Sequence, residues 1–162
     1  MIDTSEQLTL VGINCKTSEE VIRLLADRMM NGGYVKDTYV EAVLKRERVM
    51  PTGLVTKAIG VAIPHTDPEH VNKSAIAVGL LINPVNFKNM ASPEDDVPVK
   101  VVLLLAIAEK GSITSVLAAL AEMFMEPEQL NKLQSMRTTA DLSQYFSNLI
   151  QNGINKPALA GS

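Results

Sequence analysis

His65 has the setting most suited to chemistry. It closes the stretch Gly60-Val61-Ala62-Ile63-Pro64-His65, an apolar run ended by one proline. The run reads as a short buried strand over Ile59–Ile63. Pro64 fixes its own φ and restricts Ile63, so the chain leaves the strand in a reproducible direction. The expected result is a histidine at a strand end, its ring aimed out of the sheet edge. The reference pKa of imidazole is about 6.5, so much of it is uncharged at neutral pH. A neutral ring nitrogen is a nucleophile. No Ser, Cys or acid triad is apparent beside it, and phosphoryl transfer is the simplest chemistry such a ring can do. A phosphorylated ring carries about two negative charges, which call for a fixed cation. Arg46 and Arg48 stand just before Pro51-Thr52-Gly53, and Thr52 offers a hydroxyl donor. Each of these residues also has a plain account. A histidine after a proline suits a surface loop, cations in a last helical turn complement the dipole, and Thr52 suits a turn. Spacing leaves both accounts open.

Other reactive side chains are better explained without chemistry. His70 ends His65-Thr66-Asp67-Pro68-Glu69-His70, which mixes metal-ligand types but fits no standard ligand spacing. A solvated loop is the favoured reading there. Cys15 precedes a helix start, where a thiol pKa can fall. With no histidine or second cysteine nearby in sequence, a buried inert thiol is favoured. The dinucleotide, P-loop, serine-elbow and zinc-helix motifs do not occur. No cofactor and no metal is expected.

The elements that must position these residues are legible as periodicity. Gln7–Asn14 alternates like a strand. Thr17 and Glu20 form a capping box for a helix over about Ser18–Asn31, stopped by Gly32-Gly33. A second helix covers about Thr38–Arg48, with Asp37 as its cap candidate, and Pro51 ends it. Ser74–Ile82 and Val97–Ala108 are aliphatic runs that read as central strands covered on both faces. Val85–Lys88 reads as a separate edge strand. Helices follow over about Ser112–Met125, Pro127–Ser135 and Thr139–Asn152, the last with Thr139 as its cap. This irregular interleaving predicts a three-layer α/β/α domain with a mixed sheet over residues 1–152, and a flexible tail over residues 153–162.

Composition bounds the function classes. Of 162 residues 46% are apolar, none is Trp, and Tyr and Phe number three each, so the core must be aliphatic. The formal net charge of −3 lacks the basic excess of a phosphate-neutralising nucleic-acid binder. Cys15 is the single cysteine, which excludes an intrachain disulfide. The polar, acidic opening is unlike a signal peptide, and no apolar run approaches the roughly 20 residues of a spanning helix. A soluble, cytoplasmic protein is expected.

Lys45-Arg46-Glu47-Arg48-Val49-Met50-Pro51-Thr52-Gly53, followed by Ile59-Gly60-Val61-Ala62-Ile63-Pro64-His65, resembles the IIA component of the bacterial sugar phosphotransferase system. The likeness is to the fructose/mannitol superfamily, whose signature runs R-E, P-T-G-L and A-I-P-H in this order. It extends over about Ser5–Asn152. The resemblance implies the mixed sheet between helical layers and a phosphoryl relay. In that relay the histidine of P-H accepts a phosphoryl group from HPr and passes it to a IIB component. IIB then phosphorylates a sugar entering through the membrane component IIC. Carried over, His65 is the acceptor, at Nε2 as the family suggests. Arg46 is the arginine near the phosphohistidine, and Thr52 is the threonine of P-T. Several members carry a second active-site histidine where this chain has Ser112-Ile113. That departure, with a longer stretch between Pro51-Thr52 and Ile59, points to the galactitol-like type. IIA-like domains also serve as regulators whose phosphorylation state alters binding to a kinase, a transporter or channel, or a transcription factor.

Overall fold

A computed structural model describes residues 1–154 of the protein. Its centre is a mixed five-stranded sheet in the order β1-β4-β5-β3-β2. The strands are β1 (Thr9–Ile13), β2 (Gly53–Leu54), β3 (Gly60–Ala62), β4 (Ala75–Lys88) and β5 (Asp96–Ala106). β4 and β5 pair antiparallel, β1 lies parallel to β4, and β3 lies parallel to β5.

The side-chain period of a strand explains the layers. Along β4 and β5, Ala75, Ala77, Val102, Leu104 and Ala106 join one apolar cluster, while Ile76, Val78, Val101, Leu103 and Leu105 join the other. Helices α1 (Ser18–Asn31) and α2 (Tyr39–Val49) contribute to the first cluster, and α3 (Ile113–Phe124), α4 (Pro127–Gln134) and α5 (Thr139–Gly153) to the second. Both faces are covered, so these strands read as unbroken aliphatic runs. The three-layer α/β/α architecture expected from the sequence is the observed one.

Several local expectations shift. Val85–Lys88 is not a separate edge strand but the second half of β4, paired with the start of β5 across an irregularity between Leu80 and Val85. Pro84 falls in that irregularity, where a missing N–H costs the ladder nothing. The first strand starts at Thr9, because Glu6–Leu8 form a 3-10 turn. The cap of α5 is Thr138, whose hydroxyl accepts from the Asp141 amide. The cap of α2 is Thr38, not Asp37, and it makes no side-chain cap bond. Its hydroxyl instead meets His70 Nδ1 at 2.8 Å. Helix α5 runs through Gly153. The rest of the expected tail, residues 155–162, lies outside the described residues.

Two features fix the strand that leads to His65. Gly60 lies so close to β5 that a Cβ there would meet the Pro98 carbonyl oxygen at 2.1 Å. Past the end of β3, the Leu105 amide donates to the Pro64 carbonyl at 3.0 Å, which pins the residue before His65 to β5.

Candidate functional site

The Pro64-His65 exit is held from three sides. Leu105 of β5 binds Pro64, as above. Thr52, in the turn after α2, accepts the Ile63 amide at its Oγ1 at 3.2 Å. Ile63 in turn accepts from the imidazole, with His65 Nδ1 2.9 Å from the Ile63 carbonyl oxygen. A carbonyl can only accept, so Nδ1 carries the hydrogen and Nε2 carries the lone pair of the neutral ring.

The ring is more recessed than the sequence suggested. His65 is only 7% exposed. Nε2 nevertheless has no hydrogen-bond partner among the described residues and is not among the buried unpaired polar atoms, so it meets solvent. Burial pushes the His65 pKa below its ordinary value. The bond to Ile63 and the charge of Asp67 act against that shift, and the charge of Arg46 acts with it. The net effect keeps the ring neutral, and therefore nucleophilic, at pH 7.

Arg46 and Arg48 part company. Residues two apart on a helix project about 200° from one another. Arg46 lines a cleft with Lys45, Thr66, Asp67 and His70. Its Nε is, among the described residues, the only buried side-chain nitrogen or oxygen without a hydrogen-bond partner. An unpaired buried donor is costly unless something else satisfies it. Arg48 lines a separate cleft with Ser18, Glu19 and Lys88. The structure thus brings Arg46, but not Arg48, to the segment that carries His65.

Thr52 is present but differently used. It is 3% exposed, and its hydroxyl donates to Glu47 Oε1 at 2.7 Å. The expected free donor is therefore already engaged. The Thr52 amide donates to the other Glu47 oxygen, also at 2.7 Å. Glu47 is the residue that sequence reasoning passed over. Burial pushes its carboxyl up to about 7, against the pull of the Thr52 bonds and of Arg46. A signal was available: an acid in the last turn of a helix opposes the dipole, and an acid there needs a local reason.

His70 is more involved than a solvated loop residue. Besides the bond to Thr38, its Nε2 lies 3.7 Å from Glu69 Oε1, and it walls the Arg46 cleft. Cys15 is partly buried, and burial raises its thiol pKa, as expected of an inert thiol. The resemblance would put a second histidine at Ile113, the first residue of α3, or at Ser112, which lines another cleft with Ile107 and Glu109. Among the described residues no group of three His, Cys, Asp or Glu side chains could hold a metal ion.

What this arrangement can do is offer one oriented lone pair from a rigid strand end, with the Arg46 guanidinium lining the cleft beside the next two residues, Thr66 and Asp67. A family model described as the phosphoenolpyruvate-dependent sugar phosphotransferase system EIIA 2 matches residues 4–149. The chain is 29% identical over 139 residues to the galactitol-specific EIIA component of Escherichia coli K12, covering 86% of this chain and 91% of that protein. Its fold matches the crystal structure of the mannitol IIA of Escherichia coli at 24% identity and a TM-score of 0.72, over 87% and 96% of the two chains. It also matches a complex of the Escherichia coli mannitol enzyme IIA with phosphorylated enzyme IIB, at 22% identity and a TM-score of 0.74, over 91% and 99% of the chains.

Proposed function

The chain belongs to the phosphoenolpyruvate-dependent sugar phosphotransferase system EIIA 2 family, phosphotransferase components that carry a phosphoryl group to IIB, and we propose that His65 Nε2 is where that group rides. The observation that carries this reading is the hydrogen bond from His65 Nδ1 to the Ile63 carbonyl, because it leaves the Nε2 lone pair free.

The donor is phospho-HPr. Nε2 attacks its phosphorus, an Nε2–P bond forms, and the bond from phosphorus to the donor breaks with its electron pair leaving on HPr. The His65 ring, now bonded at Nε2 and protonated at Nδ1, carries a positive charge that the Ile63 carbonyl dipole steadies. Arg46, which lines the adjacent cleft with Thr66 and Asp67, supplies the positive charge that the phosphoryl oxygens call for. Transfer onward to a IIB component reverses these roles and restores the neutral ring. IIB then phosphorylates the sugar entering through IIC. The galactitol relative, with the absence of a histidine at Ser112-Ile113, favours a galactitol-like sugar alcohol. Among the described residues no helix is long and apolar enough to cross a membrane, which suits a component that shuttles between cytoplasmic partners.

The test is labelling from phospho-HPr. The expected result is an acid-labile, base-stable phosphoryl group that His65→Ala abolishes and that a galactitol IIB then removes. Equal labelling of His65→Ala overturns the reading. Labelling of His65 with no transfer to any IIB supports a regulatory role in its place.

A further inference from the structure

Three hydrogen bonds between His65 and Glu47 run head to tail in one direction. His65 Nδ1–H donates to the Ile63 carbonyl at 2.9 Å, Ile63 N–H donates to Thr52 Oγ1 at 3.2 Å, and Thr52 O–H donates to Glu47 Oε1 at 2.7 Å. Every hydrogen points toward the carboxylate. Ile63 and Thr52 are 2% and 3% exposed, so water does not compete for these groups. The Thr52 amide donates to the second Glu47 oxygen, so both oxygens of the carboxylate are engaged by one residue.

We propose that Glu47 is a positioning residue for His65, acting through Thr52 and the Ile63 backbone to hold the imidazole as the Nδ1–H tautomer with Nε2 outward. The role rests on His65 being the phosphoryl acceptor. The Thr52 bond fixes the peptide plane on the amide side of Ile63, Pro64 restricts rotation about Ile63 and the Leu105 bond holds the plane beyond it, so the carbonyl keeps its aim at the ring, and Thr52 cannot turn without breaking two bonds to Glu47. The two halves of the chain meet at the Ile63 Cα, so Glu47 acts on the ring by holding Thr52 and Ile63 in place. Helix α2 supplies both charged partners from adjacent positions. Arg46 serves the phosphoryl side and Glu47 the opposite side of the ring. One rigid helix thereby sets the spacing of the whole site.

The test compares wild type, Glu47→Gln, Thr52→Val, the double variant that combines these two, and Thr52→Ser. Glu47→Gln keeps the shape but turns one oxygen into an NH2 group, which cannot accept from Thr52. Thr52→Val removes the hydroxyl at nearly constant volume, and Thr52→Ser restores it. Two quantities are read: the His65 ring tautomer by 15N NMR of the unphosphorylated protein at pH 8, and the rate of phosphorylation by phospho-HPr. Wild type and Thr52→Ser should hold the Nδ1–H tautomer and similar rates. Glu47→Gln and Thr52→Val should lose tautomer purity and slow phosphorylation about ten-fold or more, with the double variant little worse than either single one. A wild-type tautomer and rate in Glu47→Gln overturns the proposal, as does a double variant whose loss is the product of the single losses. If Glu47→Gln does not fold, the contrast between Thr52→Val and Thr52→Ser decides in the same way. If wild type takes no phosphoryl group on His65, the relay reading fails on its own, and the tautomer comparison still decides whether Glu47 orients the ring.

Discussion

The carbonyl oxygen of Ile63 lies 2.9 Å from Nδ1 of His65, two residues further along the chain. That contact decides which ring nitrogen keeps its lone pair. It depends on Pro64 directing the chain back over the strand end, and on Leu105 and Thr52 fixing the backbone on either side.

Burial lowers the pKa of His65, and the charge of Arg46 adds to the shift. The ring should therefore stay neutral at pH values where a free imidazole is half protonated. The ring's own titration should have its midpoint below 6.5, while the rate of phosphorylation at fixed phospho-HPr should already fall near pH 7, where the Glu47 carboxyl takes up its proton. A ring titration by NMR with its midpoint at or above 6.5 contradicts this.

Arg46 and Arg48 should separate cleanly. Arg46→Ala removes the cation proposed to face the phosphoryl group, an interaction of about 1.5–3 kcal/mol, so transfer should slow roughly 10- to 100-fold. Arg46→Lys should recover only part of the rate, because an ammonium lacks the planar fork. Arg48→Ala should transfer at the wild-type rate. Stopped-flow or quench-flow transfer assays with melting controls check all three, and equal losses from Arg46→Ala and Arg48→Ala contradict the assignment.

Glu47 should leave a mark on stability. Its folded-state pKa of about 7 stands above the reference value of 4.5. Below pH 4.5 both states hold the proton and no penalty exists. As pH rises towards 7 the unfolded chain releases it first, so folding stability falls, by at most about 3 kcal/mol. His65 acts in the opposite sense, because its folded pKa is depressed and its contribution is lost as pH falls below 6.5. Both proteins keep His65, so the difference between wild type and Glu47→Gln isolates the carboxyl. Denaturant unfolding at pH 5 and pH 8 should show wild type losing ground to Glu47→Gln as pH rises. A difference independent of pH contradicts the prediction.

Gly60 should not accept a side chain. A Cβ would sit 2.1 Å from the Pro98 carbonyl oxygen, which is backbone and cannot swing aside. Gly60→Ala should cost about 1–3 kcal/mol in unfolding experiments, with slower phosphoryl acceptance because β3 carries the His65 exit. Unchanged stability and rate contradict it.

The layers and His65 were legible in the sequence for physical reasons. The aliphatic runs of β4 and β5 are buried on both faces, and that needs no partner information to recognise. An apolar strand closed by a proline announces where its next residue must go. What periodicity cannot express is which side chains meet across the fold. Thr38 gives its hydroxyl to His70, 32 residues away in sequence, in place of a helix cap. Thr52 spends its proton on Glu47, so the expected donor became a brace. The continuity of β4 through Pro84 was hidden because a proline reads as a break, although an irregular ladder tolerates it. Spacing left Arg48 beside Arg46, the resemblance singled out Arg46, and the fold sends the two to separate clefts.

The most direct measurement is 15N–31P NMR of histidine-labelled protein after phosphorylation by phospho-HPr. The account predicts one phosphoryl group, bonded to Nε2 of His65, with Nδ1 still protonated. A phosphoryl group on Nδ1, on His70, or on no histidine contradicts it.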